Sequence, residues 1–420
     1  MSDMPCIEEL GPVDWARFVA TCWDVRPVVY RQAGGAPYPT DAALHAAAAA
    51  AREAAAGETA CRFVLDDRQL RQPGDWLPRG EDGSFDAYAR RVLRAAGDDA
   101  AYALIVNEFH RHDARIFEAG RRFFRGLWAH VGLPATGAIT TLFHGNYERT
   151  PVGVHKDRFS TFVFVLQGRK RMRFWPTRPW RDAVATRVDY AQHLADSFAI
   201  EVGPGDVLYW PSAYYHVGET IGTDVATSVN VGVPRDGHAL RYEFDAIVRQ
   251  ADAEDAEDAA PLDGAASGGD PDRPPGIASA LERARRLASP QALRSAAAAG
   301  YLSLLTGGGF APPPPAMPPG RFDAGARVRL ADPACPVAWM HDDGGALCGA
   351  AGHVRRVARF DDAAAALLRR LDGGEAIDVA ALLAPFGDAP AHAAAMRRNE
   401  AHALLAWLVS TRALACTSAP

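Results

Sequence analysis

His155 and Asp157 stand one residue apart in the segment His155-Lys156-Asp157. In an extended segment, positions i and i+2 point to the same face, so both side chains can reach one ion. A third donor, His216, closes the run Gly205-Asp206-Val207-Leu208-Tyr209-Trp210-Pro211-Ser212-Ala213-Tyr214-Tyr215-His216. Two imidazoles and one carboxylate gathered on one side of a metal leave three coordination positions open, which suits non-haem Fe(II) and O2 chemistry. Those positions can take a bidentate 2-oxo acid and then O2.

Lysine usage points to the same place. Lys and Arg together number 45, yet Lys156 and Lys170 are the only lysines, both in the sixteen residues from His155. In the strand-like run Arg169–Trp175, Lys170, Met172 and Phe174 share one face, while Arg169, Arg171 and Arg173 share the other. Lys170 therefore belongs to the apolar, inward face, where an unpaired ammonium is costly. A carboxylate of 2-oxoglutarate is a sufficient partner. Thr161 and Asn230 are polar positions in otherwise apolar strands, placed to hydrogen-bond the same ligand or to orient the metal ligands.

The elements that must position these residues change character along the chain. Residues 40–132 read as mostly helical, with strand-like runs at Cys61–Leu65 and Tyr102–Val106 and an amphipathic helix over Glu118–Val131. From Ala138 to Pro234 come short β-branched and aromatic runs separated by turns such as Gly203-Pro204-Gly205-Asp206, the pattern of a sandwich or small barrel. Residues 251–274 read as an acidic flexible linker, Ile277–Leu305 as helix, and Pro312–Pro319 as a stiffer linker. The last hundred residues read as a separate module, in which a few strands and three short helices fit a winged-helix unit. The expected division is 1–236, a catalytic domain; 237–311, a helical and linker region; and 321–420, the C-terminal module.

These pieces resemble the JmjC-type Fe(II)/2-oxoglutarate oxygenases. The resemblance rests on Phe18-Val19-Ala20-Thr21-Cys22-Trp23-Asp24-Val25-Arg26-Pro27-Val28-Val29, His155-Lys156-Asp157, Gln167-Gly168-Arg169-Lys170-Arg171, Gly205–Pro211 and His216, and covers roughly residues 10–235. The helical region and terminal module are similar to the ribosomal-oxygenase branch, whose members hydroxylate protein side chains. The resemblance implies a mainly β double-stranded β-helix (cupin) core with flanking helices, plus the C-terminal α+β winged-helix-like module. It implies His155, Asp157 and His216 as ligands of Fe(II), and Lys170 as the anchor for the distal carboxylate of 2-oxoglutarate. Where that branch often has a Tyr on the co-substrate, this chain has Phe143, and Tyr102 is the candidate substitute. The expected activity is hydroxylation of a protein or ribosomally made peptide side chain. The alternatives are protein N-methyl demethylation, a small-molecule oxygenase, or an inactive JmjC-like binding module.

Composition limits the partners. A net charge of −6 argues against a general nucleic-acid binder. No apolar run is long enough to span a bilayer. The six cysteines lack paired spacing and read as reduced thiols in a cytoplasmic protein. The terminal module is a candidate for substrate docking or for a homodimer. Cys335, His341, Cys348 and His353 match no compact zinc pattern, and His110 and His112 read as surface or channel residues.

Overall fold

A computed structural model of the chain describes residues 6–417 apart from 35–36, 56–60, 148, 222–224, 236–246, 249–281, 283, 287, 324, 344 and 388–390. The acidic segment 251–274 and the start of the helix expected from Ile277 lie outside the described residues. The chain forms two compact units. The first holds Met1–His238 and Gly308–Pro315; the second holds Ala239–Gly307 and Ala316–Pro420.

The strands of the first unit are β1 (Ile7–Leu10), β2 (Val28–Arg31), β3 (Cys61–Leu65), β4 (Arg68–Gln69), β5 (Tyr102–Asn107), β6 (Ile139–Gly145), β7 (Phe159–Gln167), β8 (Lys170–Trp175), β9 (Phe198–Val202), β10 (Val207–Trp210), β11 (Tyr215–Thr220) and β12 (Ala226–Pro234). Nine of them make one sheet in the order β1-β2-β10-β7-β12-β6-β5-β3-β4, and β11-β8-β9 make a second. The large sheet is covered on both faces. Phe162, Phe164, Val229 and Val231 join Phe18, Phe124 and Leu127 of the helices in one core. Val163, Val165, Leu208 and Val29 point the other way, to Met172, Phe174 and Ile200 of the small sheet. The strand β7, Phe-Ser-Thr-Phe-Val-Phe-Val-Leu-Gln, is buried along nearly its whole length because it lies mid-sheet between these layers. This is the β-rich core with flanking helices expected from the sequence.

Two turns set the register of the small sheet against the large one. In Gly203-Pro204-Gly205-Asp206 the Asp206 N–H donates to the Gly203 carbonyl at 3.1 Å, and Gly205 takes φ +93°. Pro second and Gly third are the requirements of such a turn. Gly168, between β7 and β8, has φ +72°, and a Cβ there would lie 2.4 Å from the Val225 carbonyl oxygen. That close approach packs the β7–β8 connection against the backbone at the start of β12 and fixes Lys170 two residues on.

The second unit is built on the helix Pro290–Thr306 and strands β13 (Arg327–Leu330), β14 (Ala338–Asp342), β15 (Gly345–Ala350), β16 (His353–Val357), β17 (Ile377–Asp378) and β18 (Leu414–Thr417). They pair as β14-β15-β16 and β17-β13-β18. The helices Asp362–Leu371, Val379–Leu383 and Ala391–Ser410 supply Leu367, Leu368, Leu382, Leu404 and Leu408 to its core. The helix Pro290–Thr306 packs on β15 through Ala299 and Leu302. It thus belongs to this unit and not to a separate linker region. Residues 308–315, including part of the proline run read as a linker, belong to the first unit, where Phe310 is fully buried.

Candidate active site

His155 and His216 are brought together by backbone. The His155 N–H donates to the His216 carbonyl at 3.1 Å, and the His216 N–H donates to the His155 carbonyl at 2.8 Å. This isolated antiparallel bridge stands both rings side by side, with centroids 4.5 Å apart. Asp157 faces both: its carboxylate oxygens lie 3.5 Å from His155 Nε2 and 3.4 Å from His216 Nε2. One donor atom from each of the three residues falls within 4.8 Å of the others. It is the only such group of three or more among the described residues. The His155 Nδ1–H donates to the Gly153 carbonyl at 2.9 Å, which leaves Nε2 free to bind a metal. Burial pulls the His155 pKa down, and the neighbouring His216 adds to it. Burial works against ionisation of Asp157, but the His216 hydrogen bond and the two imidazoles outweigh it and hold the carboxyl below its usual range. Neutral imidazole and ionised carboxylate are the ligand states a metal needs.

The triad opens into a cavity of about 180 Å³ between the two sheets of the first unit. Lys170 lies on the cavity wall and is 1% exposed. Its ammonium donates to Ser228 Oγ at 2.9 Å and lies 4.6 Å from the Phe143 ring centre. Among the described residues no carboxylate pairs with it, and burial pushes its pKa down to about 7. Gly218 makes room for it: a Cβ there would lie 3.0 Å from Lys170 Cε. Arg169, Arg171 and Arg173 point outward as expected and pair with Glu201 and Glu219.

Three further polar atoms wait on this wall. Thr150 Oγ1, Thr161 Oγ1 and Asn230 Oδ1 belong to cavity-lining residues and are buried without a hydrogen-bond partner. Buried polar groups are normally paired, so this concentration marks a place for a polar ligand. The residues present therefore fit both a divalent metal and a dicarboxylate. Thr161 and Asn230 stand where the sequence put them. Thr150, Ser228, Gly218, Asn107, Thr141 and Arg62 also line the cavity or contact Lys170 and were not singled out. Ser228 could have been found from Asn230, which shares its face two residues along β12.

Tyr102 does not join them. It sits on the opposite face of β5 from the cavity residues Ile105 and Asn107, and its hydroxyl lies 3.0 Å from His144 Nε2 in the helix-side core. Strand alternation sends it away from the cavity. His110 and His112 are also not surface residues: both are buried, with Nδ1 2.7 Å from Thr140 Oγ1 and 3.3 Å from Glu53 respectively. Cys348 is buried in the core of the second unit, and no metal group forms around it among the described residues.

Residues 135–238 match the family model of the JmjC domain. This chain carries a JmjC domain. The match spans β6 to β12 with His155, Asp157, Lys170 and His216, and it makes the chain an oxygenase of the 2-oxoglutarate-dependent type, with Fe(II) and 2-oxoglutarate as its metal and co-substrate. No curated protein matches the sequence. Among solved structures the chain is similar to E. coli ycfD, at 15% identity over 96% of this chain and 98% of that one, TM-score 0.46. It is similar also to YcfD, a ribosomal oxygenase from Escherichia coli, in complex with cobalt and 2-oxoglutarate, at 14% identity over 97% and 99%, TM-score 0.46. The complex of the same protein with cobalt and succinic acid matches at 15% identity over 97% and 99%, TM-score 0.46. At these values, what the JmjC domain acts on has to be argued from its own cavity. Among the described residues no helix is long and apolar enough to cross a membrane.

Proposed function

We propose that the JmjC domain hydroxylates a side chain of a protein or ribosomally made peptide in the cytoplasm. The observation that carries this reading is one cavity holding both the His155–Asp157–His216 group and a buried lysine with no anionic partner among the described residues. His155, Asp157 and His216 would hold Fe(II), and Lys170, with Ser228 and the unpaired Thr161 and Thr150, would hold the far carboxylate of 2-oxoglutarate. Bound iron supplies O2 activation coupled to oxidative decarboxylation, so that R–H, O2 and 2-oxoglutarate give R–OH, succinate and CO2. The chain's own part is positioning. Lys170 fixes the far end of the co-substrate, and the His155–His216 backbone bridge fixes the near end, which lowers the entropy cost of reaction. The apolar walls Ile105, Ile139, Phe143 and Met172 limit water. All six cysteines are free, which fits a cytoplasmic protein. The β17-β13-β18 sheet with its three helices is read as a winged-helix-like module for substrate docking or a homodimer contact.

The test is direct. Purified protein should bind Fe(II) and convert 2-oxoglutarate to succinate, and the cell's proteins should carry a +16 Da mark that depends on it, the mass of one oxygen retained after hydroxylation (roughly sixteen). His155→Ala and Asp157→Ala should each abolish turnover. Full succinate production in both variants would remove the assignment of the metal.

A further inference from the structure

Strand register places the two ends of the cavity on one line. Arg62 of β3 pairs with Ile105 of β5, Ile105 with Phe143 of β6, and Phe143 with Ser228 of β12. Ser228 accepts the hydrogen bond of Lys170. Three steps of about 4.8 Å separate the Arg62 and Ser228 backbones by about 14 Å. The row therefore carries a cation at each end. Arg62 faces this way because its neighbours Cys61 and Phe63 turn to the helix-side core. It is exposed at the rim, and no carboxylate pairs with it among the described residues. The arginines on the outer face of β8 behave differently and are held by Glu201 and Glu219.

Beside Arg62 runs a second, polar row. Asn107 pairs with Thr141, and Thr141 with Asn230, all lining the cavity. The one carboxylate among the described lining residues is Asp157, which the metal reading already uses. A cationic side chain entering this half of the cavity would meet a like charge and no described counter-ion. An anionic one would meet a guanidinium that can bind it in bidentate fashion, flanked by amide and hydroxyl donors.

We propose that Arg62 takes the carboxylate of an acidic side chain on the substrate, and so selects an aspartyl or glutamyl segment for hydroxylation. This rests on the reading of the domain as a hydroxylase of protein or peptide side chains. It sets the Arg62 end of the row apart for substrate and the Lys170 end for co-substrate.

The test uses the full chain loaded with Mn(II) and 2-oxoglutarate, and fluorescein-labelled peptides of identical neutral flanks. The central residue is Asp, Glu, Asn, Arg, Lys or trimethyl-lysine, and anisotropy reads affinity. The Asp or Glu peptide should bind about tenfold more tightly than the Arg, Lys and trimethyl-lysine peptides, the upper range for a partly exposed charge pair. Arg62→Glu should reverse that order. Equal or tighter binding of the cationic peptides, an unchanged order in Arg62→Glu, or no binding of any peptide by protein that holds Mn(II) and 2-oxoglutarate would each overturn the assignment. A loss of 2-oxoglutarate affinity in Arg62→Gln would overturn it too, since the guanidinium would then serve the co-substrate. If the unaltered protein binds neither Mn(II) nor 2-oxoglutarate, the oxygenase reading itself fails, and this inference with it.

Discussion

Burying an ammonium beside Phe143 and Tyr147 without a carboxylate disfavours its charge, and Lys170 accordingly falls to about 7 from an ordinary 10.5. Between those two values the unfolded chain binds more protons than the folded one. The contribution of Lys170 to the stability of the unliganded protein therefore rises with pH across that window and is smallest below 7. Lys170→Met should remove this contribution, read as a denaturation midpoint that exceeds the parent's by more at neutral pH than at alkaline pH. The co-substrate reverses the preference, because a dicarboxylate beside Lys170 favours the charged form. Binding of 2-oxoglutarate about one unit above that pKa should take up close to one proton, visible by calorimetry in buffers of different ionisation enthalpy. Lys170→Ala should lose that uptake and about two to three decades of affinity, matching the roughly 3–5 kcal/mol of a broken buried pair. Metal affinity should stay nearly unchanged. A variant that binds 2-oxoglutarate as well as the parent would move the anchor to another residue.

At the scale of elements, the cavity depends on how tightly β8 and β11 lie together. Met172 pairs with Gly218, and a Cβ at Gly218 would lie 3.0 Å from Lys170 Cε, 3.3 Å from Met172 Sδ and 3.4 Å from Thr150 Cγ2. Gly218→Ala should leave the sheet intact but displace the Lys170 stem. The expected cost is about 1–3 kcal/mol of overpacking, shared between a lower melting temperature and a 2-oxoglutarate affinity reduced by about tenfold. Unchanged affinity would show that Lys170 has slack and that Gly218 serves only the sheet. The same strands show what a sequence can reveal. Alternation along β8 made the inward face of Lys170 legible, and Thr161 and Asn230 stood out as polar residues in otherwise apolar strands. The bridge between His155 and His216 was not legible, because two backbone hydrogen bonds between distant segments leave no local pattern. Tyr102 was misplaced because its run Tyr-Ala-Leu-Ile-Val-Asn is buried on both faces and gives no period to read. β15, Gly-Ala-Leu-Cys-Gly-Ala, was missed for a related reason. It is made of small residues because Leu302 of the helix closes on it, and a Cβ at Gly349 would lie 3.0 Å from Leu302 Cβ.

At the scale of the whole molecule, the chain builds the first unit, leaves it at about His238 and returns for Gly308–Pro315 before completing the second. The returning segment has a structural task. Phe310 is fully buried, 5.9 Å from the Phe124 ring and 5.5 Å from the His110 ring, and the Ala138 N–H donates to the Gly309 carbonyl at 2.8 Å. Trp128 Nε1 donates to the Gly308 carbonyl at 2.8 Å. A truncation at residue 238 therefore strips the JmjC-bearing unit of a core aromatic and two hydrogen bonds. Phe310→Ala in the full chain measures the largest part of that loss, and it should destabilise the unit by about 3–5 kcal/mol. Ending the chain at residue 320 is a different cut. It keeps both parts of the first unit but removes β15 from beneath the helix Pro290–Thr306, so that Ala299 and Leu302 lose their cover. The expected outcome is a protein that still binds 2-oxoglutarate and decays it slowly, while amides of residues 290–306 exchange rapidly with solvent. If the terminal unit docks the substrate, coupled hydroxylation by this truncated chain should fall steeply, because remote contacts are then missing from the productive complex. Full-rate hydroxylation by the same protein would exclude the docking role. Loss of 2-oxoglutarate binding would instead show that the first unit cannot stand without the second.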